Sequence, residues 1–521
     1  MPDTIGGLLS EAADRNADGI WLRTDDGYLT FGGARAQVAG VAHVLHAAGV
    51  RRGDLVVVTA RTTPPYLLCW LALAALGAVT VPTNPQATAP ELAGLVRQTQ
   101  PRALITDASL LPAAAEVADV PRLGVLDVAA LAGDWTSAAS DGRLPAWAGA
   151  VTPDDLAVLI PTSGTTGRSK LVMQTHRAYA MAGEGFPYWM ELTADDRLMT
   201  SLPLFHINAP AYSVMGSLAC GAGLILLPRF AASGFLDAAR RHGATEFNAI
   251  GAMLEILMRQ PERPDDASNP LRLCYTGPAP ARERHEEIER RFGLRIVCGY
   301  ALSETPYGLI WPRGTRPFGT LGAPRQHPRL GTLNEARVVA DDGGELGPGE
   351  TGELLLRNPA VSPGYWQMPA ETAEVMTAGW LRTGDLVTVN QDGTYTFVAR
   401  KKEVLRRRGE NLSPLEVEEA LLAHPAVQDC AVVGLPSDLS EEEVKAFVVP
   451  VAGARVDFGE LREWAAGRLA PYKVPRFWQV LGELPRTPTA RVAKHRLPSE
   501  HPPDEYDAQS APPESGPEDA P

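Results

Sequence analysis

Lysine is scarce in this chain. Of 48 Lys and Arg side chains in 521 residues, six are lysine (Lys170, Lys401, Lys402, Lys445, Lys473 and Lys494). Cysteine is equally sparse. Cys69, Cys220, Cys274, Cys298 and Cys430 stand far apart and form no CxxC, which argues against a disulfide framework or a thiolate zinc site and fits a reducing cytoplasm. Positive charge is in deficit, 48 Lys and Arg against 62 Asp and Glu, a net charge of −14. That balance leaves no footprint for nucleic acid or an anionic membrane, although a local cationic pocket for phosphates remains compatible with it. The opening MPDTIGGLLSEAADRN lacks a basic region followed by an apolar one, so no signal peptide is expected. The most apolar run, Tyr66 to Val81, is shorter than a membrane span, contains Gly77 and reads as a buried helix.

What is present is an ordinary globular composition, 45% hydrophobic and 21% charged, long enough for about three structural units. Short apolar strands alternate with helical stretches: DLVVVTA (54–60), GAVTVP (77–82), RALIT (102–106), DLAVLIP (155–161) and GAGLILLP (221–228). TEFNAIG, LRLCYTG and RIVCGYA continue the pattern. Such alternation predicts layered α/β subdomains with mainly parallel sheets. After Gly319, GELLLRN and GTYTFVA indicate a small β subdomain. Near residue 400 the polar, cation-rich ARKKEVLRRRGEN reads as a linker. Beyond it Ser413-Pro414-Leu415-Glu416 has the form of a capping box, and two helices and two strands follow. The expected organisation is α/β: a large N-terminal domain over 1–401, a small C-terminal α+β lid over 402–498, and a disordered acidic, Pro-rich tail over 499–521.

The strongest local signal is Pro161-Thr162-Ser163-Gly164-Thr165-Thr166-Gly167-Arg168-Ser169-Lys170, set between two apolar strands. Small residues let backbone approach a phosphate, hydroxyls and successive N–H groups donate to it, and Lys170 adds a cation. It is not the GxxxxGK[ST] pattern, and a Gly/Thr/Ser turn by itself is as well explained as a hairpin loop. In this order the residues resemble the phosphate loop of the adenylate-forming (ANL) superfamily, which includes acyl-CoA ligases and the adenylation domains of peptide synthetases. PLFHINA (203–209), TGPAP (276–280), GYALSE (299–304), WLRTGDL (380–386), ARKKE (399–403), RRGEN (407–411) and LPRTPTARVAK (484–494) resemble further motifs of that family in its own order.

The resemblance implies a two-step chemistry. A carboxylate attacks the α-phosphate of ATP to give acyl-AMP; the thiol of CoA then attacks the acyl carbon and releases AMP. It implies that Thr162, Ser163, Gly164, Thr165, Thr166, Gly167 and Lys170 hold phosphates, and that Gly277, Pro278 and Ala279 form the adenine loop with Tyr300 stacked near it. Ser303 would contact the α-phosphate region and Glu304 would ligate Mg²⁺. Asp385 and Arg400 would hold the ribose. Lys402 would be the hinge of the rotating lid, Gly409 would line the pantetheine tunnel, and His206 would gate the acyl pocket.

One departure stands out. The family carries Pro-x-x-x-x-Gly-Lys, whose lysine bridges the carboxylate and the α-phosphate; here Ala490 and Arg491 occupy the last two positions. A guanidinium is a broad planar fork where an ammonium is a point charge, so adenylation is expected to be weak or absent while thioester formation survives. The arginine-rich composition explains the swap less well, because Lys170 and Lys402 remain lysine; Lys494 is the nearest substitute. Smaller departures are Ser169 for proline, Pro278 for glycine, Ala301 for the glycine of YGxTE, and Arg408 for the first glycine of GGEN.

No aspartate follows Phe205, so the amine anchor of amino-acid adenylation domains is missing and a plain organic acid is expected. Ala209, Ala211, Gly216, Gly251 and Ala279 are small and point to a bulky apolar acid. The expected ligands are an acyl-adenylate (AMP) and CoA, with ATP and Mg²⁺ if adenylation is retained, and a separate adenylating ligase is the expected partner. A full two-step synthetase, a module loading a carrier protein and a catalytically dead scaffold are the rival readings.

Overall fold

The computed structural model describes residues 3–115, 117, 124–136, 151–162, 170–277, 279–407, 410–436, 442–486, 492–498, 501–502 and 505–508. Several expected site residues lie outside them: Ser163, Gly164, Thr165, Thr166, Gly167, Pro278, Gly409 and Arg491.

Among the described residues two sheets organise the large domain. One runs Val125–Asp127, Ala103–Thr106, Leu55–Thr59, Val79–Pro82, Leu156–Thr162, Lys170–Thr175. Its strands are parallel except for the last pair, an antiparallel hairpin with Thr162 opposite Lys170. The other sheet has a parallel centre, Gly223–Leu226, Arg197–Thr200, Glu246–Asn248, Leu273–Thr276 and Arg295–Leu302, and Thr305–Ile310 folds back antiparallel on the last of these. Each expected apolar run is a strand, because strands covered by helices on both faces must be apolar throughout; Leu55–Thr59 and Val79–Pro82 are buried at every position.

The run from Tyr66 splits in two. Thr63 caps a buried helix, Pro64–Leu76, and Gly77 at φ +71° ends it. A left-handed residue stops the helical ladder, so the rest of the run forms the strand Val79–Pro82. Among the described residues no helix is long and apolar enough to cross a membrane.

A smaller β layer, Glu335–Val339, Thr351–Arg357, Trp380–Val389, Met376–Thr377 and Tyr395–Arg400, follows the large sheets. The small C-terminal domain pairs Val427–Pro436, Glu442–Pro450, Phe477–Val480 and Tyr506–Asp507, with helices Pro414–Leu422 and Phe458–Ala466. The layout is the expected α/β one, a large N-terminal domain and a small α+β C-terminal domain.

Two local expectations are corrected. Ser413 precedes the helix with Pro414 at its first turn, but no capping box forms. The Ser413 hydroxyl donates instead to Val398 O (2.8 Å), and Glu416 pairs with Lys473 (2.6 Å), so these side chains tie the helix to other elements rather than to its own end. Of the tail expected to be disordered from Ser499, the described residues Tyr506–Asp507 form an edge strand beside Phe477–Val480. Its acidic residues have cationic partners there: Glu505 with the fully buried Lys445 (2.5 Å) and Asp507 with Arg476 (3.0 Å).

His176 starts the helix that follows the hairpin and is fully buried, with its Nδ1 accepting from the Ile5 amide (3.4 Å). Burial pushes its imidazole down from 6.5 to about 4. The folded state therefore holds it neutral. The stability this contributes is present above pH 6.5 and is lost as pH falls through 4, about 3 kcal/mol in all. Urea titrations across that range should show the loss, and His176→Phe should remove this share of the pH dependence.

Candidate active site

The hairpin Leu156–Thr162/Lys170–Thr175 holds the ends of the phosphate-loop motif in register, and Thr162 Oγ1 donates to Lys170 O (3.3 Å). The segment Gly364–Trp366 runs along the second strand: Met173 N donates to Gly364 O (3.0 Å), Trp366 N to Leu171 O (2.8 Å), and Val172 bridges Tyr365. Tyr365 is thereby set between two expected site residues. Its ring lies under the Lys170 ammonium, 4.6 Å from Nζ, and its hydroxyl donates to Glu304 Oε1 (2.9 Å). Burial, then the Glu304 charge, hold the Tyr365 phenol well above its usual value, so it stays a donor.

Glu304 sits in the turn between Arg295–Leu302 and Thr305–Ile310. Gln174, fully buried on the hairpin, donates from Nε2 to Ser303 O (2.5 Å), and Ser362 N donates to Glu304 O (2.7 Å). Two separate elements thus clamp the Ser303-Glu304 turn. Among the described residues Glu304 Oε2 has no hydrogen-bond partner, and no group of three or more His, Cys, Asp or Glu side chains is gathered to hold a metal. One carboxylate oxygen combined with phosphate oxygens is a donor set that fits Mg²⁺.

Four residues before Glu304, on the same hairpin, Tyr300 donates from its hydroxyl to Asp385 Oδ2. Asp385 is fully buried, opposite Arg400 in the antiparallel register, and Arg400 Nε lies 2.8 Å from Oδ1. Burial, then the Asp385 charge, keep the Tyr300 phenol protonated well above its usual range. Tyr300, Asp385 and Arg400 therefore form one charge-assisted cluster. Gly277 opens the expected adenine loop at a close backbone crossing: a Cβ there would lie 2.3 Å from Gly299 O, which only glycine avoids. Ala279 packs on the large-domain core just beyond.

His206 is partly buried with its ring 4.4 Å from that of Phe205, in the loop before the π-helical turn Ala209–Val214. Lys402 lies exposed on the turn Lys401–Glu403, immediately after Arg400, where the chain passes into the C-terminal domain. Its neighbour Lys401 is bound to Asp341 (2.8 Å) and Glu353 (3.3 Å). Arg486 and Val492, on either side of the segment that contains Arg491 in sequence, bridge antiparallel. Lys494 is engaged elsewhere, 2.7 Å from Glu418 and 3.6 Å from Glu403.

Motif reading missed Tyr365 and Gln174. Neither lies in a recognisable pattern. The one local signal is Gly364, at φ +129° with a Cβ position 2.3 Å from Thr372 Cγ2, which marks a tight backbone site just before Tyr365.

With this geometry in place, comparison with known proteins is informative. The family model for AMP-binding enzymes matches residues 9–366, and that for the AMP-binding enzyme C-terminal domain matches residues 416–491. A crotonobetaine/carnitine–CoA ligase of Salmonella heidelberg (strain SL476) is 30% identical over 487 residues, 90% of this chain and 93% of that protein. Among solved structures, ATP-bound MatB from Rhodopseudomonas palustris superposes with a TM-score of 0.82 at 28% identity, covering 94% of this chain and 98% of that one. The o-succinylbenzoate CoA synthetase MenE from Bacillus subtilis, in complex with its acyl-adenylate intermediate, gives 0.84 at 26% identity over 95% and 98%.

Proposed function

The chain belongs to the AMP-binding enzyme family, in its acyl-CoA ligase branch, and from that premise we propose that it forms an acyl-CoA thioester from an acyl-adenylate and CoA, with its own ATP-dependent adenylation weak or absent. The observation that carries this reading is Arg491, with Ala490 before it, at the position of the adenylating lysine. Lys494 gives little relief, since Glu418 and Glu403 already hold it. The same departure underlies a likeness to the non-adenylating acyl-CoA ligase of platensimycin and platencin biosynthesis.

The remaining parts serve both half-reactions. Asp385 is a buried carboxylate suited to the ribose hydroxyls, with Tyr300 and Arg400 fixing its orientation. Lys170, placed on the Tyr365 ring, supplies positive charge beside the nucleotide phosphates. Glu304, held by Tyr365, would share Mg²⁺ with those phosphates; the bound ion would neutralise phosphate charge. Gly409 is assigned to the pantetheine path and Lys402 to the hinge. The acid is bulky and largely apolar, and a partner ligase supplies its adenylate.

The test is a comparison of two feeds. Free acid with ATP and Mg²⁺, or the preformed acyl-adenylate, is offered with CoA and thioester is measured. The adenylate is expected to yield product at least about 10²-fold faster, the typical effect of losing one aimed donor. Equal rates from the two feeds would identify a full two-step synthetase.

A further inference from the structure

Asn248 ends the strand Glu246–Asn248 and is fully buried. Its Nδ2 donates to Asn208 Oδ1 at 2.6 Å, and its own Oδ1, also buried, has no hydrogen-bond partner among the described residues. Leaving a buried polar atom in this state is costly, and native proteins keep few of them without a use.

The surroundings say what that use is. In open parallel sheets, ligands bind beyond the carboxyl ends of the strands, and Asn248 stands at that end of its strand. It is level with Tyr275, the Ala249 amide donates to Tyr275 O (2.8 Å), and the neighbouring strand runs directly into Gly277. Its partner Asn208 comes from the loop of His206 and begins the π-helical turn Ala209–Val214, a form concentrated at functional sites. The carboxamide pair therefore joins the His206 loop to the carboxyl end of an interior strand, beside the strand that leads into Gly277. Beyond Asn248 the chain opens into space. Ile250, though apolar, is 38% exposed, and a Cβ on Gly251 would meet nothing within 4 Å.

We propose that the Asn208–Asn248 pair is a specificity element of the acyl pocket, and that it selects a carboxylic acid carrying a hydroxyl group, which bonds to the Asn248 atom that has no partner among the described residues. A hydroxyl both donates and accepts, so it satisfies this carboxamide whichever way the amide is turned. The acid is then bulky and mostly apolar with one polar substituent remote from its carboxylate. This inference rests on the acyl-CoA ligase reading above.

The experiment uses the full chain and pairs of preformed acyl-adenylates of aromatic and alicyclic acids, the members of a pair differing by one hydroxyl at successive ring positions. With CoA in excess, kcat/KM for thioester formation is measured for wild type, Asn248→Leu and Asn208→Ala. Wild type is expected to favour one hydroxylated member by about 10- to 100-fold over its partner. Asn248→Leu should abolish that preference, bringing kcat/KM for the hydroxylated member to within about twofold of its partner's. Asn208→Ala, at a partly exposed position, should reduce the preference and serves if the buried variant does not fold. Thioester formation with no hydroxyl preference in any pair, or a preference that survives in both variants, overturns this proposal alone. No thioester from any adenylate overturns the ligase reading and this proposal with it.

Discussion

Arg491→Lys is expected to raise ATP–pyrophosphate exchange by about 10²–10³-fold and to leave thioester formation from a preformed adenylate within about twofold of wild type. The first half-reaction brings a carboxylate onto an α-phosphate, two anions that a single compact cation bridges well. A guanidinium spreads its charge over a plane and offers donors at fixed angles, so a site shaped for a compact ammonium does not hold the larger group in register between the two reacting oxygens. In the second half-reaction sulfur attacks an acyl carbon and phosphate charge is released, so the bridging cation has no part in it. The variant therefore separates the two halves. Ala490→Gly by itself should leave exchange unchanged, since it restores backbone freedom without the cation. Vigorous exchange by the wild-type chain with a cognate acid would show that arginine serves as well as lysine here.

The second large effect concerns the C-terminal tail. Ending the chain at Pro498, or substituting Glu505→Gln, is expected to destabilise the C-terminal domain by about 3–5 kcal/mol. Lys445 is fully buried on the strand Glu442–Pro450, with its ammonium 2.5 Å from Glu505 and 4.8 Å from the Phe447 ring. Removing that carboxylate takes away the negative charge that faces a buried ammonium at 2.5 Å, which costs far more than an exposed pair contributes. Truncation also removes Tyr506, packed on the domain's core, and the Arg476–Asp507 pair. Hydrogen exchange of the Glu442–Pro450 amides reads the effect directly. Lys445→Met combined with Glu505→Gln should restore much of the protection, because an apolar side chain of similar length needs no counter-charge. Unchanged protection in the truncated chain would show that the tail strand contributes nothing.

Much of the molecule was legible locally. Strands such as Leu55–Thr59 announce themselves because burial on both faces demands an unbroken apolar run. Gly77 is a local signal that the single-helix reading of the Tyr66–Val81 run passes over: its left-handed backbone ends the helix at Leu76, and the rest of the run is strand. The phosphate loop, the Tyr300–Glu304 hairpin and Asp385 are recognisable because each uses residues close together in the chain, in a set order.

Other features depend on residues far apart in sequence, and no window of sequence contains them. Tyr365 meets Lys170 and Glu304 only because the Gly364–Trp366 segment lies along the hairpin. Ser413 has the sequence of a helix cap, yet Val398 O, brought near by the fold, takes its hydroxyl. The tail reads as disordered by composition, since its acidic residues have no reason to order until Lys445 and Arg476 are presented to them. The family and the order of its motifs were thus decided by the chain of residues alone, because chemistry at a motif depends on residue type and local spacing. Which side chains complete the site, and whether Asn248 is satisfied by Asn208 alone, were decided by tertiary packing, because hydrogen bonds and charges are paired in space and not along the backbone.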